Sequence, residues 1–212
     1  MILRYALLAL GLAGAALAQQ TVLMPYDSLM GDRVSVDGYV DVEEGEYPGF
    51  FVDKASGLTV HWGFDDSLFY VAIETKSKGW MAIGFGSAKM HESNMFIGFY
   101  NDDSAEVYNH IGANYAHAAA VENDSNPLDW ECEIDFDDET GVTTMEFAYP
   151  LAFPSAKGVA IPGLVAGDTY DMILAQNTKS ISLAAKHTNK SALKFRMAPS
   201  TRPKAEEKPG QK

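Results

Sequence analysis

Two side chains that can ligate a metal stand in loops that follow predicted strands. Met90 offers a thioether in the small and polar loop 86–94, and His187 offers an imidazole in the loop 180–190. A thioether and a neutral imidazole form an axial pair for haem iron that raises its potential. A loop methionine is more often a packing residue, and a lone histidine is more often a surface residue. By itself, the spacing therefore indicates only a candidate site.

The other histidines are weaker candidates. His91 follows Met90 and could replace it after a one-residue slip, although an exposed loop histidine is the commoner situation. His61 lies on a predicted strand, facing away from the apolar side, and is expected to be a hydrogen-bonded surface residue. His110 and His117 lie in a stretch of weak pattern and could line a pocket. None of the four replaces His187 as the preferred nitrogen ligand.

Short segments with alternating or apolar residues dominate the chain between polar turns, and no segment has convincing helical periodicity. The predicted strands span 34–42, 50–52, 58–64, 68–75, 80–85, 95–100, 106–111, 130–136, 142–149, 169–176 and 192–197. The pair at 130–136 and 142–149 is predicted to form a hairpin, and 112–126 is predicted to be irregular. Strands at this spacing predict an all-β fold, an antiparallel immunoglobulin-like β-sandwich of about ten strands.

The two ends of the chain differ from its middle. An apolar run that ends in Ala16-Leu17-Ala18 predicts a signal peptide over residues 1–18, and hence export to the periplasm or the extracellular space. The run is too short to anchor the chain, so no membrane span is expected after cleavage. The remaining chain is predicted to comprise a loosely ordered lead-in (19–33), one sandwich domain (34–198) and a disordered tail (199–212).

Charge and motif content exclude several classes of function. The net charge of −13 makes nucleic acid and anionic lipid poor partners, because each contact would begin with repulsion. Cys132 is the only cysteine, so the chain has no internal disulfide, and no C-x-x-C-H motif offers covalent haem attachment. The sequence has no P-loop, Rossmann or hydrolase motif. The acidic run 131–139 lacks a calcium-loop pattern, which favours a solvated strand face.

Three groups of residues carry a resemblance to a known family. The central group is Gly79-Trp80-Met81-Ala82-Ile83-Gly84-Phe85, then Lys89-Met90 and 93–99. It resembles the central sequence of the DOMON family, named for the dopamine beta-monooxygenase N-terminal domain. Residues 36–40, 45–47 and 58–62 are similar to its opening strands, and 172–175 with 186–192 to its closing strand and histidine-bearing loop. The resemblance covers about 34–197 and is patchy between 101 and 164.

This resemblance implies a cofactor and its ligands. DOMON domains are β-sandwiches that bind haem b or, in some branches, sugars. In the haem branch, as in the cytochrome domain of cellobiose dehydrogenase, the iron ligands correspond to Met90 and His187 here. The related dehydrogenase gamma subunits use methionine with lysine, which makes Lys186 an alternative second ligand. Trp80 and Phe85, which also fit a protein core, are expected to line the cofactor site.

The expected function is therefore an exported b-type cytochrome domain that relays single electrons to or from a redox partner protein and is not itself an enzyme. An alternative from another class is a carbohydrate-binding module on the same sandwich, without haem. Stacking on sugar rings would need exposed aromatic side chains, for which Tyr39, Tyr47 and Phe50 are the candidates. A third possibility is a subunit of a larger exported oxidoreductase.

Overall fold

Two β-sheets pack face to face in the computed structural model, which describes residues 21–102, 104–120, 130–154 and 157–200. The predicted signal peptide and most of the predicted tail lie outside these residues. The elements are β1 (Thr21–Met24), α1 (Met30–Arg33), β2 (Gly49–Asp53), β3 (Leu58–Phe64), β4 (Leu68–Thr75), β5 (Met81–Phe85), β6 (Asn94–Asn101), β7 (Ser104–Ala113), β8 (Ala116–Ala119), β9 (Glu131–Asp137), β10 (Val142–Pro150), β11 (Thr169–Gln176) and β12 (Asn189–Met197).

One sheet has seven strands in the order β1-β12-β11-β5-β6-β7-β8, and the other has five in the order β2-β3-β4-β10-β9. Neighbouring strands are antiparallel apart from β1 and β12, which pair in parallel. The predicted all-β sandwich is confirmed, with twelve strands in the described ranges rather than about ten. No helix within those ranges has the length and apolar character needed to cross a membrane.

Strands with clear alternation have the predicted bounds. β3, β4 and β11 begin and end where the sequence pattern places them. The predicted hairpin is also present, since β9 and β10 pair in antiparallel register from Val142↔Asp137 to Ala148↔Glu131. In these segments, local alternation and the packing of the two sheets favour the same conformation.

The core lies between the sheets and is rich in aromatic side chains. The ring of Phe69 on β4 meets those of Phe85 and Phe147 edge-on, at centroid distances of 5.2 and 6.0 Å. Phe96 on β6 stacks on Phe147 on β10 at 4.1 Å and 12°. Phe69 and Phe147 lie on neighbouring strands of the five-stranded sheet. The Phe69–Phe85 and Phe96–Phe147 contacts join strands of opposite sheets, so they fix how the two layers sit on each other. Other fully buried large side chains are Trp62, Tyr149, Phe64 and Phe195.

The predicted strand at 34–42 is wrong. This segment is irregular and crosses the outer face of the five-stranded sheet, where Met30 packs with Tyr70 and Ala148. Its backbone is held by a carboxylate instead of a neighbouring strand. Glu146 on β10 accepts hydrogen bonds from the N–H groups of Asp37 (3.0 Å) and Gly38 (2.8 Å). A distant acceptor has therefore replaced strand pairing as the partner of these backbone groups.

Two further predictions differ from the structure. Residues 21–24, assigned to a loosely ordered lead-in, form β1 and extend the larger sheet by pairing with β12. The stretch 112–126 was predicted to be irregular, but β7 runs to Ala113 and β8 pairs back onto it. Both short strands pair with an edge of the seven-stranded sheet. The neighbouring strand supplies their hydrogen bonds, so the local sequence pattern does not predict them.

The environment of His61 was also predicted only in part. Its ring faces away from the core, as expected, yet the residue is only 8% exposed. Phe50 stacks on the ring at a centroid distance of 5.9 Å, and Nε2 lies 2.8 Å from a Glu74 carboxylate oxygen. His61 is thus a buried, hydrogen-bonded residue of the five-stranded sheet instead of a surface one.

Candidate functional site

The outer face of the seven-stranded sheet is apolar. Trp80, Ala82, Met95 and Ile97 are buried there, although this face points away from the sandwich core. The outer face of an antiparallel sandwich is ordinarily polar and solvated. Partly buried apolar residues extend the patch: Met90, Phe99, Ile173, Ala175 and Leu183. We call these nine residues the outer-face cluster; such a patch marks a surface that binds or is covered by something.

Met90 lies at one end of the outer-face cluster. It belongs to the loop 86–93 between β5 and β6, which is fastened to the β7–β8 hairpin by backbone hydrogen bonds. Glu92 N–H donates to the Gly112 carbonyl (2.8 Å), and Gly112 N–H donates to the Ser93 carbonyl (3.1 Å). Met90 itself passes over Gly112, where a Cβ atom would lie 3.0 Å from the Met90 Cγ atom. The thioether side chain is therefore half-buried at a defined place on the outer face.

The loop 177–188 covers the other end of the same face. Trp80 fastens it twice, since its backbone N–H donates to the Ser180 carbonyl and its indole Nε1–H donates to the Ala185 carbonyl, each at 3.2 Å. Asn177 Nδ2 donates to the Lys186 carbonyl at 2.7 Å. The side chains of Lys186 and His187 are exposed.

The two loops that carry the predicted ligands leave the sheet at opposite ends of neighbouring strands. β5 and β11 are antiparallel, with Phe85 opposite Met172 and Met81 opposite Gln176. The loop after Phe85 carries Met90, whereas the loop after Gln176 carries Lys186 and His187. Both loops border one apolar face, and Ala82 and Ala175 are direct cross-strand partners between them. Because these two side chains are only methyl groups, the middle of that face projects less than its surroundings.

The predicted lining residues Trp80 and Phe85 lie on different faces of the sheet. Trp80 belongs to the outer-face cluster. Phe85 points into the sandwich, where its ring lies 5.6 Å from that of Phe195, and it is fully buried. Only Trp80 shares the outer face with Met90, because successive strand residues point to opposite faces.

Two histidines that were weak candidates from the sequence meet on the outer face. The Nδ1 atoms of His110 on β7 and His117 on β8 lie 2.7 Å apart. His117 Nε2 is also 3.4 Å from the Leu183 carbonyl oxygen. Burial lowers the pKa of His110 to about 4, and the adjacent His117 contributes to the shift. The turn of the β7–β8 hairpin brings the two histidines together. They are seven residues apart in the sequence, and this spacing alone does not predict the contact.

His91 does not take the place of Met90 on this face. Its ring is about half exposed, and Nδ1 accepts a hydrogen bond from the Asn114 backbone N–H at 3.0 Å. Nε2 lies 3.8 Å from a Glu92 carboxylate oxygen. His91 is thus turned toward the loop and the hairpin turn instead of the outer-face cluster.

Exposed aromatic side chains and two surface cavities lie elsewhere. Tyr39 and Phe50 are 62% and 71% exposed, whereas the Tyr47 hydroxyl is engaged by Glu146 at 2.8 Å. A cavity of about 510 Å³ is formed by the segment 29–46, and another of about 550 Å³ by parts of 64–67, 151–152 and 162–166. Neither cavity is lined by the outer-face cluster.

Residues 54–185 match the sequence pattern of the DOMON domain. The chain belongs to the DOMON family. The matched range includes Met90 and the β7–β8 hairpin, and it ends just before Lys186 and His187. No curated protein matches the chain.

Two solved structures show how widely this DOMON fold is shared. The cytochrome b domain of pyranose dehydrogenase from Coprinopsis cinerea gives a TM-score of 0.54 at 11% identity, over 69% of this chain and 80% of that chain. A family 9 carbohydrate-binding module from Caldicellulosiruptor kristjanssonii, in complex with cellotriose, gives 0.50 at 10% identity, over 91% and 100%. Since one fold serves both proteins, the ligand must be argued from the site.

Proposed function

We propose that this DOMON domain is an exported b-type cytochrome domain that holds one haem b over the outer-face cluster. Met90 and His187 would hold its iron, with Lys186 as the alternative to His187. One observation carries the proposal: a sheet face that should be solvated is apolar and is bordered by the two loops that bear these ligands. A large flat apolar ligand is what such a face would bury.

The donor set and its surroundings fit haem. Met90 presents a soft thioether from a half-buried position, and His187 presents an exposed imidazole on the loop that borders the face. Trp80 fastens the loop that bears His187 through its indole hydrogen bond to the Ala185 carbonyl. The small side chains of Ala82 and Ala175 lie between the two loops, where a planar group needs space.

Haem held by these two side chains would supply a one-electron couple. The residues of this chain would hold the group, keep water away from its face and leave no coordination site for a substrate. We therefore propose that the domain relays electrons and does not itself catalyse a reaction. Its net charge of −13 suits a redox partner with a basic docking surface, either a separate protein or another subunit of an oxidoreductase.

The test is the absorption spectrum of protein made in an exporting host with haem supplied. We expect a Soret band and sharp bands in the reduced state that indicate low-spin iron. Met90→Ala and His187→Ala should each shift the spectrum away from low spin and weaken haem retention. His91→Ala is the matched control, because this exposed neighbour of Met90 should leave the spectrum unchanged. Colourless protein, or low-spin spectra in both ligand variants, would contradict the assignment.

A carbohydrate-binding module remains the second candidate function. Tyr39 and Phe50 are large, exposed aromatic side chains of the type that stacks on sugar rings. Titration with a cello-oligosaccharide tests it by calorimetry. Under the sugar hypothesis, Phe50→Ala and Tyr39→Ala weaken binding, while Met90→Ala and His187→Ala do not. The cytochrome proposal is supported if the parent protein takes up haem and releases no heat of binding in the titration with the oligosaccharide.

Export is proposed from the sequence at 1–18. The expected mature N-terminus lies at Gln19, after Ala16-Leu17-Ala18. Intact-mass measurement of protein recovered from the periplasm or medium checks this cleavage. Recovery of the uncut chain from the cytoplasm would contradict it.

A further inference from the structure

The β7–β8 hairpin brings two imidazoles into direct contact on the outer face of the sheet. His110 and Gly112 lie two residues apart on β7 and share that face, and His117 is the cross-strand partner of Gly112. The two Nδ1 atoms are 2.7 Å apart, with ring centroids 4.9 Å apart. Two nitrogen atoms at this distance share one hydrogen.

The hydrogen bonds assign the neutral tautomers of the pair. His117 Nε2 faces the Leu183 carbonyl, so it carries a hydrogen, and His117 Nδ1 is then an acceptor. His110 Nδ1–H is therefore the donor. Neutral imidazoles are ligands for transition metals.

The thioether side chain of Met90 packs against the hairpin that carries the two rings. Met90 passes over Gly112, where a Cβ atom would lie 3.0 Å from the Met90 Cγ atom. Gly112 is the cross-strand partner of His117 and lies two residues from His110 on the same face. The Met90 side chain therefore packs next to the strand positions that carry both imidazoles. Met95 is the cross-strand partner of His110 and packs in the same cluster as Met90. Sulfur is thus the third donor within reach of the pair.

We propose that His110 and His117, through their Nδ1 atoms, and Met90, through its sulfur, bind one Cu(I) ion on the outer face of the seven-stranded sheet. The donor types select the metal. Thioethers favour Cu(I), whereas zinc takes thiolate, imidazole and carboxylate ligands. In the described part of the chain, no third histidine, cysteine, aspartate or glutamate joins the two imidazoles to make a zinc site.

The ion takes the position of the shared hydrogen. Two nitrogen ligands that are each about 2.0 Å from one metal at a trigonal or tetrahedral angle stand about 3.4 Å apart, so the rings must separate by about 0.7 Å. His110 moves its proton from Nδ1 to Nε2, and no net proton is released. β8 is a four-residue strand at the edge of the sheet, where such a small adjustment is least restrained.

This site shares Met90 with the proposed haem site but needs no haem. Met90 can serve only one metal at a time, so a fully haem-loaded preparation should bind Cu(I) more weakly than a haem-poor one. The two proposals also fail separately. The Soret band reports on haem alone, and competition with a chromophoric chelator reports on Cu(I) alone.

The experiment is an anaerobic titration of the purified protein, of measured haem content, with Cu(I) against bicinchoninate. We expect one Cu(I) ion per chain and no comparable binding of Zn²⁺. His110→Phe and His117→Phe should each lower the Cu(I) affinity by more than about 100-fold, because loss of even an outer-shell partner costs about 10- to 100-fold. Met90→Leu should lower it by about tenfold in the haem-poor protein.

His91→Gln is the matched control, since it removes an exposed imidazole next to Met90 and should leave the Cu(I) affinity unchanged. Unchanged affinity in both His110 and His117 variants, or loss of binding in His91→Gln, would overturn the proposal. If a ring variant does not fold, copper K-edge absorption of the loaded parent protein decides the matter. Two nitrogen donors and one sulfur support the site, and a shell of nitrogen and oxygen alone overturns it.

Discussion

Met90 lies against the bare Cα of Gly112, so closely that the Met90 backbone leaves no room for a Cβ atom there. This contact seats the loop 86–93 on the β7–β8 hairpin and determines where the thioether stands. The neighbouring backbone hydrogen bonds of Gly112 to Glu92 and Ser93 hold the same junction.

Gly112→Ala should therefore displace Met90. We expect a loss of about 2 kcal/mol in the free energy of unfolding, typical of overpacking, together with weaker haem retention. Urea unfolding and the visible spectrum measure the two effects. Gly141→Ala is the control. An added Cβ at Gly141 meets no other atom, but the φ of 71° should cost about 1 kcal/mol in the free energy of unfolding. The visible spectrum should not change. If Gly112→Ala keeps the visible spectrum of the parent protein, haem binding does not depend on the contact between Met90 and Gly112.

Trp80 should control the mobility of the loop that bears His187. Trp80→Phe removes the indole hydrogen bond to the Ala185 carbonyl, at a cost of about 1 kcal/mol, and should speed amide exchange across 180–188. The matched control is Trp62→Phe, which removes an indole hydrogen bond of 3.0 Å to the Leu23 carbonyl. It should speed exchange in β1 instead. Equal protection of 180–188 in the parent and Trp80→Phe would show that the loop is held by other contacts.

A buried hydrogen bond between Thr75 and Gln176 links the two sheets. The Thr75 hydroxyl on β4 donates to Gln176 Oε1 on β11 at 2.9 Å, and Gln176 Nε2 donates to the Ser56 carbonyl. Gln176→Leu removes the acceptor of the Thr75 hydroxyl and the donor to the Ser56 carbonyl in the interior, and it should cost about 2–3 kcal/mol. Thr75→Val should cost less. A double-mutant cycle by urea unfolding should give a coupling of about 1 kcal/mol, whereas additive losses would mean that the two side chains act independently.

Glu146 should make stability depend on pH. Burial raises its pKa to about 7, from an ordinary value of 4.5, although Tyr47 and backbone N–H groups donate to it. A raised carboxyl pKa contributes stability that is complete below pH 4.5 and is lost as the pH rises through 7. The loss reaches about 3 kcal/mol, because each pKa unit is worth about 1.4 kcal/mol.

Glu146→Gln cannot ionise and isolates this effect from the rest of an acidic chain. Urea unfolding measures the free energy of unfolding of both proteins at pH 4.5 and pH 8. Between these two pH values, the value for the variant should rise relative to that of the parent by up to about 3 kcal/mol. A difference between the two proteins that stays constant with pH would mean that the Glu146 pKa is close to that of an ordinary carboxyl group.

Much of the fold followed from local patterns. β3, β4 and β11 were predicted with correct bounds, because alternation along the chain matches the two faces of a sheet that is buried on one side or both. The strand predicted at 34–42 does not form, and no local sequence pattern could have shown why. Its backbone donors meet the Glu146 carboxylate, more than one hundred residues away along the chain.

The sequence by itself determined the sandwich, the DOMON resemblance and Met90 and His187 as candidate haem ligands, which stay predictions. Only the tertiary structure decided which side chains share a face. It placed Phe85 between the sheets and Met90 outside them, and it brought His110 and His117 into contact. The physical reason is that strand pairing and the close approach allowed by Gly112 act between residues that are distant along the chain, where neither spacing nor composition records them.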